Sequence, residues 1–206
     1  MPTVDLVFQA RGGAVPLDHG YGLFSALASQ VPALHERRDV GVFTLRGQST
    51  PGDTLRLAPG ALRIRCPAEA IPLFLGLTGQ GLTLLGQRLT LGAPTVRALV
   101  PVPELSARLV TFKHALEEQA FREAAYRFIY ELTGGGCTLR VGRRRIVTIA
   151  GAKVVGFALD LSGLSETASL VLLERGLGGR RHMGCGLFLP TPESRAQEAA
   201  HARAAS

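Results

Sequence analysis

One order of local patterns runs through this chain twice, and that repetition limits its possible folds more than any other feature. In the first hundred residues, Thr3 to Gln9 alternates in strand fashion, with Val4, Leu6 and Phe8 on one side. A Gly/Pro stretch from Gly12 to Pro16 follows. Leu23, Leu27, Val31 and Leu34 then recur near helical spacing, which predicts a helix from about residue 20 with Asp18 as its N-cap. Pro32 ends that helix or starts a separate short turn, placing His35 in or just after the turn. Val40 to Arg46 and Leu55 to Cys66 read as strands, the second with Arg56, Arg63 and Arg65 on its wet face. Pro67 to Thr78 reads as a short helix, and Gly81 to Leu91 as two short strands around Gly86-Gln87.

Pro94, Pro101 and Pro103 mark a connector, after which the order returns. Ala107 to Phe112 is strand-like, and apolar residues from Leu116 to Leu132 recur at helical spacing. Glu118/Arg122 and Glu123/Arg127 supply i,i+4 pairs on its wet side, and Gly134-Gly135-Gly136 stops it. Thr138 to Val141, Ile146 to Ile149 and Val154 to Leu159 read as strands, and Ser165 to Arg175 as a helix. A glycine loop from Gly176 to Gly186 leads to a closing strand, Leu187 to Leu189. The polar, alanine-rich tail from Thr191 reads as frayed or weakly helical. The expected fold class is therefore α+β: two tandem ferredoxin-like (β-α-β-β-α-β) halves, residues 1–100 and 101–190, with a glycine-rich loop near the end and a tail over 191–206.

Charge and cysteine usage narrow the function classes. The 206 residues hold 23 Lys+Arg against 16 Asp+Glu, a formal net charge of +7, and Lys113 and Lys153 are the only lysines. Arginine forks onto phosphate and stacks on bases, so this balance favours a polyanion partner. Cys66, Cys137 and Cys185 form neither a closed disulfide framework nor a CxxC knuckle, which fits a reducing, cytoplasmic setting. The beginning MPTVDLVFQA lacks the pattern of a signal peptide, and no apolar run reaches membrane-helix length, so no membrane partner is expected. HExxH and clustered His/Cys spacings are absent from the sequence, so neither a metal site nor a cofactor is expected.

The most specific local signal is Gly176-Leu177-Gly178-Gly179-Arg180-Arg181-His182-Met183-Gly184-Cys185-Gly186. It follows a helix and precedes a strand, the reverse of a dinucleotide fingerprint, and it lacks the Gly-Lys-Ser/Thr of a Walker A loop. What remains is a backbone able to approach a ligand closely, with two guanidiniums and an imidazole at its centre, which suits phosphate. The simpler reading is a tight turn. The run Arg143-Arg144-Arg145 reads in isolation as a charged hairpin edge.

The glycine loop resembles that of the repeat-associated RNA-binding superfamily of CRISPR systems. A second anchor is Val15-Pro16-Leu17-Asp18-His19-Gly20-Tyr21, followed after the helix by Leu34-His35-Glu36. Together they resemble the precursor-CRISPR-RNA endoribonucleases, the Cas-six family, over about residue 3 to Pro190. The resemblance implies a metal-independent endoribonuclease that cuts CRISPR repeat RNA by 2′-OH attack, leaving a 2′,3′-cyclic phosphate. It implies repeat RNA or crRNA as the partner and admits other subunits of a CRISPR effector complex. It puts the general base at His35, with His19 second, and phosphorane stabilisation at Arg37 and Arg38. RNA contacts fall to Arg143, Arg144, Arg145, Lys153, Gly178, Gly179, Arg180, Arg181 and His182. Two departures stand out: Ala28 occupies the place of a catalytic Tyr of some members, and Arg37/Arg38 replace a Lys. His114 and His201 have no constellation around them. The rival readings are a non-catalytic RNA-binding subunit of a CRISPR effector complex and an unrelated basic ferredoxin-like RNA-binding module. The second would stack bases on exposed sheet aromatics, whereas Phe8, Phe43, Phe112 and Phe157 sit at core-like positions.

Overall fold

The computed structural model describes residues 2–57 and 62–191. It divides into two compact units. The first comprises Met1–Leu99 with Val147–Val154 and Arg180–Gly184, and the second Val100–Ile146, Val155–Gly179 and Cys185–Ser206.

The first unit runs β1 (Thr3–Gly12), β2 (Ala14–Pro16), α1 (Gly20–Gln30), a 3₁₀ turn (Pro32–His35), β3 (Gly41–Val42), β4 (Gly47–Thr50), β5 (Thr54–Leu57) and β6 (Leu62–Pro67). A 3₁₀ turn (Ala68–Ala70), α2 (Ile71–Leu75), β7 (Gly81–Leu84) and β8 (Gln87–Ala98) complete it. Its main sheet has the order β3-β6-β1-β8-β7, and β1 is antiparallel to both neighbours. Without the β7 edge, this is the ferredoxin-like arrangement, in which the first strand lies inside the sheet. Strand periodicity puts Val4, Leu6 and Phe8 on one face with Leu62, Ile64 and Cys66, where they join Leu23, Phe24, Leu27 and Ala28 of α1 in one core. A second sheet has the order β2-β5-β4.

The second unit runs β9 (Leu105–Val110), α3 (Glu118–Thr133), β10 (Thr138–Ile149), β11 (Ala152–Ser162), α4 (Glu166–Arg175), a 3₁₀ turn (Arg181–Met183) and β12 (Phe188–Pro190), with the two outlying segments counted in the first unit. Its sheet order, β10-β11-β9-β12, again places the first strand inside. α3 buries Phe121, Ala125 and Ile129 at i, i+4 and i+8, and Phe121 packs against Phe112 and Phe157 at ring separations of 5.2 and 4.8 Å. The Ser165 hydroxyl caps α4 by accepting from the Ala168 N–H.

The structure differs from the sequence expectation in several places. β10 is one unbroken strand through Arg143–Arg145, and the hairpin turns instead at Ala150–Gly151, both with positive φ. An edge strand need bury neither face, so three arginines in succession do not break it. Pro94 lies inside β8, opposite Phe8, because β7 pairs only with residues 87–90 and leaves β8 unpaired on that side. The expected strand over 40–46 contracts to Gly41–Val42, and that over 55–66 becomes β5 and β6. Thr191, where the frayed tail is expected to begin, is buried and bonded to Glu104, and the rest of the tail expectation lies outside the described residues.

Burial pushes the Cys66 thiol up to about 11 and also raises Cys137, while Cys185 is buried. Since the thiolate is the reactive form, thiol titration of the native protein at pH 8 is expected to register slow labelling at half-buried Cys137 alone. All three thiols should react in denaturant. Rapid native labelling of Cys66 would contradict this packing.

Candidate active site

His19, the turn bearing His35, Arg37 and Arg38, and the tip of the glycine loop all lie within the first unit. α1 begins at Gly20, and His19 occupies its N-cap position with its side chain almost wholly buried. The Nδ1 of His19 lies 2.7 Å from the Pro16 carbonyl oxygen, and Nε2 lies 2.9 Å from the Leu45 backbone N. A carbonyl can only accept, so Nδ1 carries the proton and Nε2 accepts from the Leu45 N–H. The imidazole thus ties the helix start to the segment following β3. Asp18, expected as the cap, instead accepts from the Thr148 N–H at 2.7 Å.

The Pro32–His35 turn is anchored by fully buried Leu34 and leaves His35 exposed. The His35 ring meets the Phe24 ring edge-on, with centroids 5.0 Å apart and planes at 78°. Arg37 grips Asp39 through two hydrogen bonds, Nε to Oδ1 at 2.9 Å and Nη2 to Oδ2 at 2.7 Å. That pairing raises the Arg37 guanidinium and holds the Asp39 carboxyl below its usual range, with Arg181 adding to the latter. Arg38 is exposed. Buried Ala28 offers no polar group to the site, as its residue type implies.

The glycine loop is split between the two units. Its limbs belong to the second, where the Leu177 N–H donates to the Gly186 carbonyl at 2.9 Å, the Gly186 N–H donates to the Leu109 carbonyl at 2.8 Å, and Gly178 and Gly179 are exposed. Its tip, Arg180–Gly184, belongs to the first. A Cβ on Gly20 would lie 2.6 Å from the Met183 carbonyl oxygen, and one on Gly184 2.5 Å from Thr44 Cγ2, so both positions require glycine for this close approach. The His182 Nε2 sits 2.7 Å from the Arg37 carbonyl oxygen, and its ring stacks on Phe24 with centroids 5.4 Å apart and planes at 4°. Arg180 is exposed, whereas Arg181 is half-buried; desolvation lowers its guanidinium's pKa, as does the neighbouring Arg65 charge.

The structure thus brings together His35, Arg37, Arg181 and His182 of the expected residues, and it adds two that the sequence did not single out, Phe24 and Asp39. Phe24 reads in sequence as one more core residue of α1, and its second role needs the tertiary contact. Arg143 and Arg144 are exposed on β10, and the Nε of half-buried Arg145 has no hydrogen-bond partner among the described residues. Lys153 is exposed on β11. Arg65 is not on a wet face: it is 1% exposed and grips Asp5 at 2.7 and 3.0 Å, while Arg63 reaches the same carboxylate at 3.2 Å. Among the described residues no three His, Cys, Asp or Glu side chains converge as metal ligands, and no helix is long and apolar enough to cross a membrane. His114 is exposed with φ 70°, and His201 lies outside the described residues.

A family model described as Cas6 Crispr matches residues 4–193. This chain belongs to the Cas6 family. A CRISPR-associated endonuclease Cas6 of Myxococcus xanthus (strain DK1622) is 58% identical over 205 residues, covering 100% of this chain and 88% of that protein. A solved CRISPR-associated protein Cas6 superposes with TM-score 0.63 at 13% identity, over 92% of this chain and 98% of the other. Thermus thermophilus Cse3, bound to an RNA representing a pre-cleavage complex, superposes with TM-score 0.53 at 16% identity, over 92% and 98%. These distant structures share the fold of tandem ferredoxin-like halves, and the family match with the close relative makes the chain a member of the Cas6 endonuclease family.

His19→Ala is expected to cost roughly 1–3 kcal/mol, the penalty for leaving the buried Leu45 N–H without an acceptor. Equilibrium urea denaturation measures it, and an unchanged midpoint would show that His19 does not clamp the two segments.

Proposed function

We propose that this Cas6-family protein binds CRISPR repeat RNA and cuts it without a metal ion, releasing mature crRNAs in the reducing cytoplasm. The observation carrying the reading is the exposed His35 imidazole beside Arg37 and Arg38, in a chain 58% identical to a protein named as a Cas6 endonuclease. His35 takes the proton of the 2′-hydroxyl, the freed oxygen attacks the adjacent phosphorus, and the P–O5′ bond breaks to leave a 2′,3′-cyclic phosphate. Neutral imidazole suits the first step. Exposed Arg38 stabilises the phosphorane, with Arg37 held in place by Asp39. Arginine keeps its proton at any working pH, so the departing 5′-oxygen is protonated by water. His19 is the weaker candidate base, because backbone groups already engage both of its ring nitrogens.

In this reading residues 1–100 form the catalytic half and residues 101–190 the half that supplies the basic strand and the glycine loop. Arg143, Arg144, Arg145 and Lys153 hold phosphates, as do Arg180 and Arg181 with the backbone at Gly178 and Gly179. A-form RNA hides its bases in a deep groove, so a stem is held by shape and charge.

Cleavage of a labelled repeat RNA in EDTA tests the chemistry. Wild type is expected to make one cut ending in a cyclic phosphate. His35→Ala should slow single-turnover cleavage about 10²- to 10⁴-fold, as loss of a general base does, with RNA affinity retained. Tight binding with no cut by either protein would favour a non-catalytic subunit of an effector complex. Equal cutting by both would move the base elsewhere.

Replacing Arg143, Arg144 and Arg145 together by alanine should weaken repeat binding and flatten its salt dependence. Each lost phosphate contact takes about 0.7–0.9 from the slope of log K against log salt. An unchanged slope would remove β10 from the RNA-binding surface.

A further inference from the structure

We infer that His182 is a positioning residue for the turn that carries His35, Arg37 and Arg38, and not an RNA contact. The inference rests on the reading of that turn as catalytic. Three observations within the first unit carry it.

The turn itself is held mainly by local contacts, the Arg37–Asp39 fork among them. Leu34 and Val40 are fully buried at its two ends, but His35, Glu36, Arg38 and Asp39 between them are exposed. The backbone bonds that shape it are short-range: Glu36 N–H to Ala33 O at 3.2 Å, Arg38 N–H to Glu36 O at 3.0 Å and Val40 N–H to Arg37 O at 3.0 Å. Such a segment tends to open locally unless something distant pins it.

His182 supplies a distant pin. Its Nε2–H donates to the Arg37 carbonyl at 2.7 Å, across 145 positions of sequence. That carbonyl accepts from Val40 as well, so the bond falls on the middle of the turn.

The imidazole is also held firmly enough to act as a pin. It lies flat on Phe24, the ring that His35 meets edge-on. The flanking residues of the tip press against α1 and Thr44 at Gly20 and Gly184. One buried ring thus sets both imidazoles, and the hydrogen bond to Arg37 closes the arrangement.

Two substitutions separate the stack from the bond. His182→Phe keeps an aromatic ring on Phe24 but loses the N–H donor, and His182→Gln restores a donor. Single-turnover cleavage of repeat RNA at saturating protein, RNA affinity, and amide hydrogen exchange of residues 35–40 in the RNA-free protein are measured for each. His182→Phe is expected to lower the cleavage rate roughly tenfold to a hundredfold, the usual consequence of a misplacement near 1 Å. RNA affinity should stay within about twofold, as the chain keeps its phosphate contacts, and exchange over 35–40 should speed up. His182→Gln should recover most of the rate and the protection.

A loss confined to affinity, with the saturated rate unchanged, would make His182 an RNA contact and overturn the inference. Unchanged exchange in His182→Phe would overturn it too. His35→Ala run in parallel separates the two readings: if it cuts like wild type, the assignment of His35 falls, and the exchange data still decide whether His182 pins the turn.

Discussion

β1 lies between β6 and β8, and the first unit is organised around that placement. A strand with neighbours on both sides satisfies its backbone groups only when residues 62–67 and 89–98 have arrived. Its two faces then acquire different fates. Leu6 and Phe8 meet the core under α1. On the other face Asp5 meets Arg65 and Arg63, whose guanidiniums lie 5.0 and 5.7 Å from the centre of the Phe43 ring. Arginine cannot escape burial by losing its proton. Burying Arg65 therefore relies on the bidentate Asp5 carboxylate, with the Phe43 ring as a further cation-facing surface.

The candidate site depends on a second constraint, the seating of the glycine-loop tip. Glycine at positions 20 and 184 removes the Cβ atoms that would hold the tip away. His182 then reaches both Phe24 and the Arg37 carbonyl. The glycines of this loop therefore have more than one use. Gly184 and Gly178 each permit a close approach within the protein, Gly178 to the Thr111 carbonyl, while a side chain on exposed Gly179 would meet open space.

Much of this was legible in the sequence, for identifiable reasons. Alternation gave β1 through Val4, Leu6 and Phe8, and helical spacing gave α1 and α3, each of which buries one stripe of apolar residues. The signal failed where a residue's partner lies far away in sequence or where an edge strand carries no apolar alternation. Arg143–Arg145 carries no apolar alternation, so an edge strand looked like a break. Asp18 matched an N-cap in residue type and place, yet its carboxylate goes to Thr148, 130 positions away. Arg63 and Arg65 alternate with apolar residues as a solvated face would, and only the pairing of β6 with β1 brings Asp5 beside them.

The repeated βαββαβ plan and the resemblance carried by the glycine loop and Leu34-His35-Glu36 depend on residue type and local spacing, and so stand in the amino-acid sequence alone. Only the folded chain separates the settings of three histidines. His19, His35 and His182 are the same side chain in three settings: buried between two backbone groups, exposed at a turn, and stacked with its N–H committed. An imidazole's role is set by what its two nitrogens can reach, and those partners come from segments up to 145 residues away.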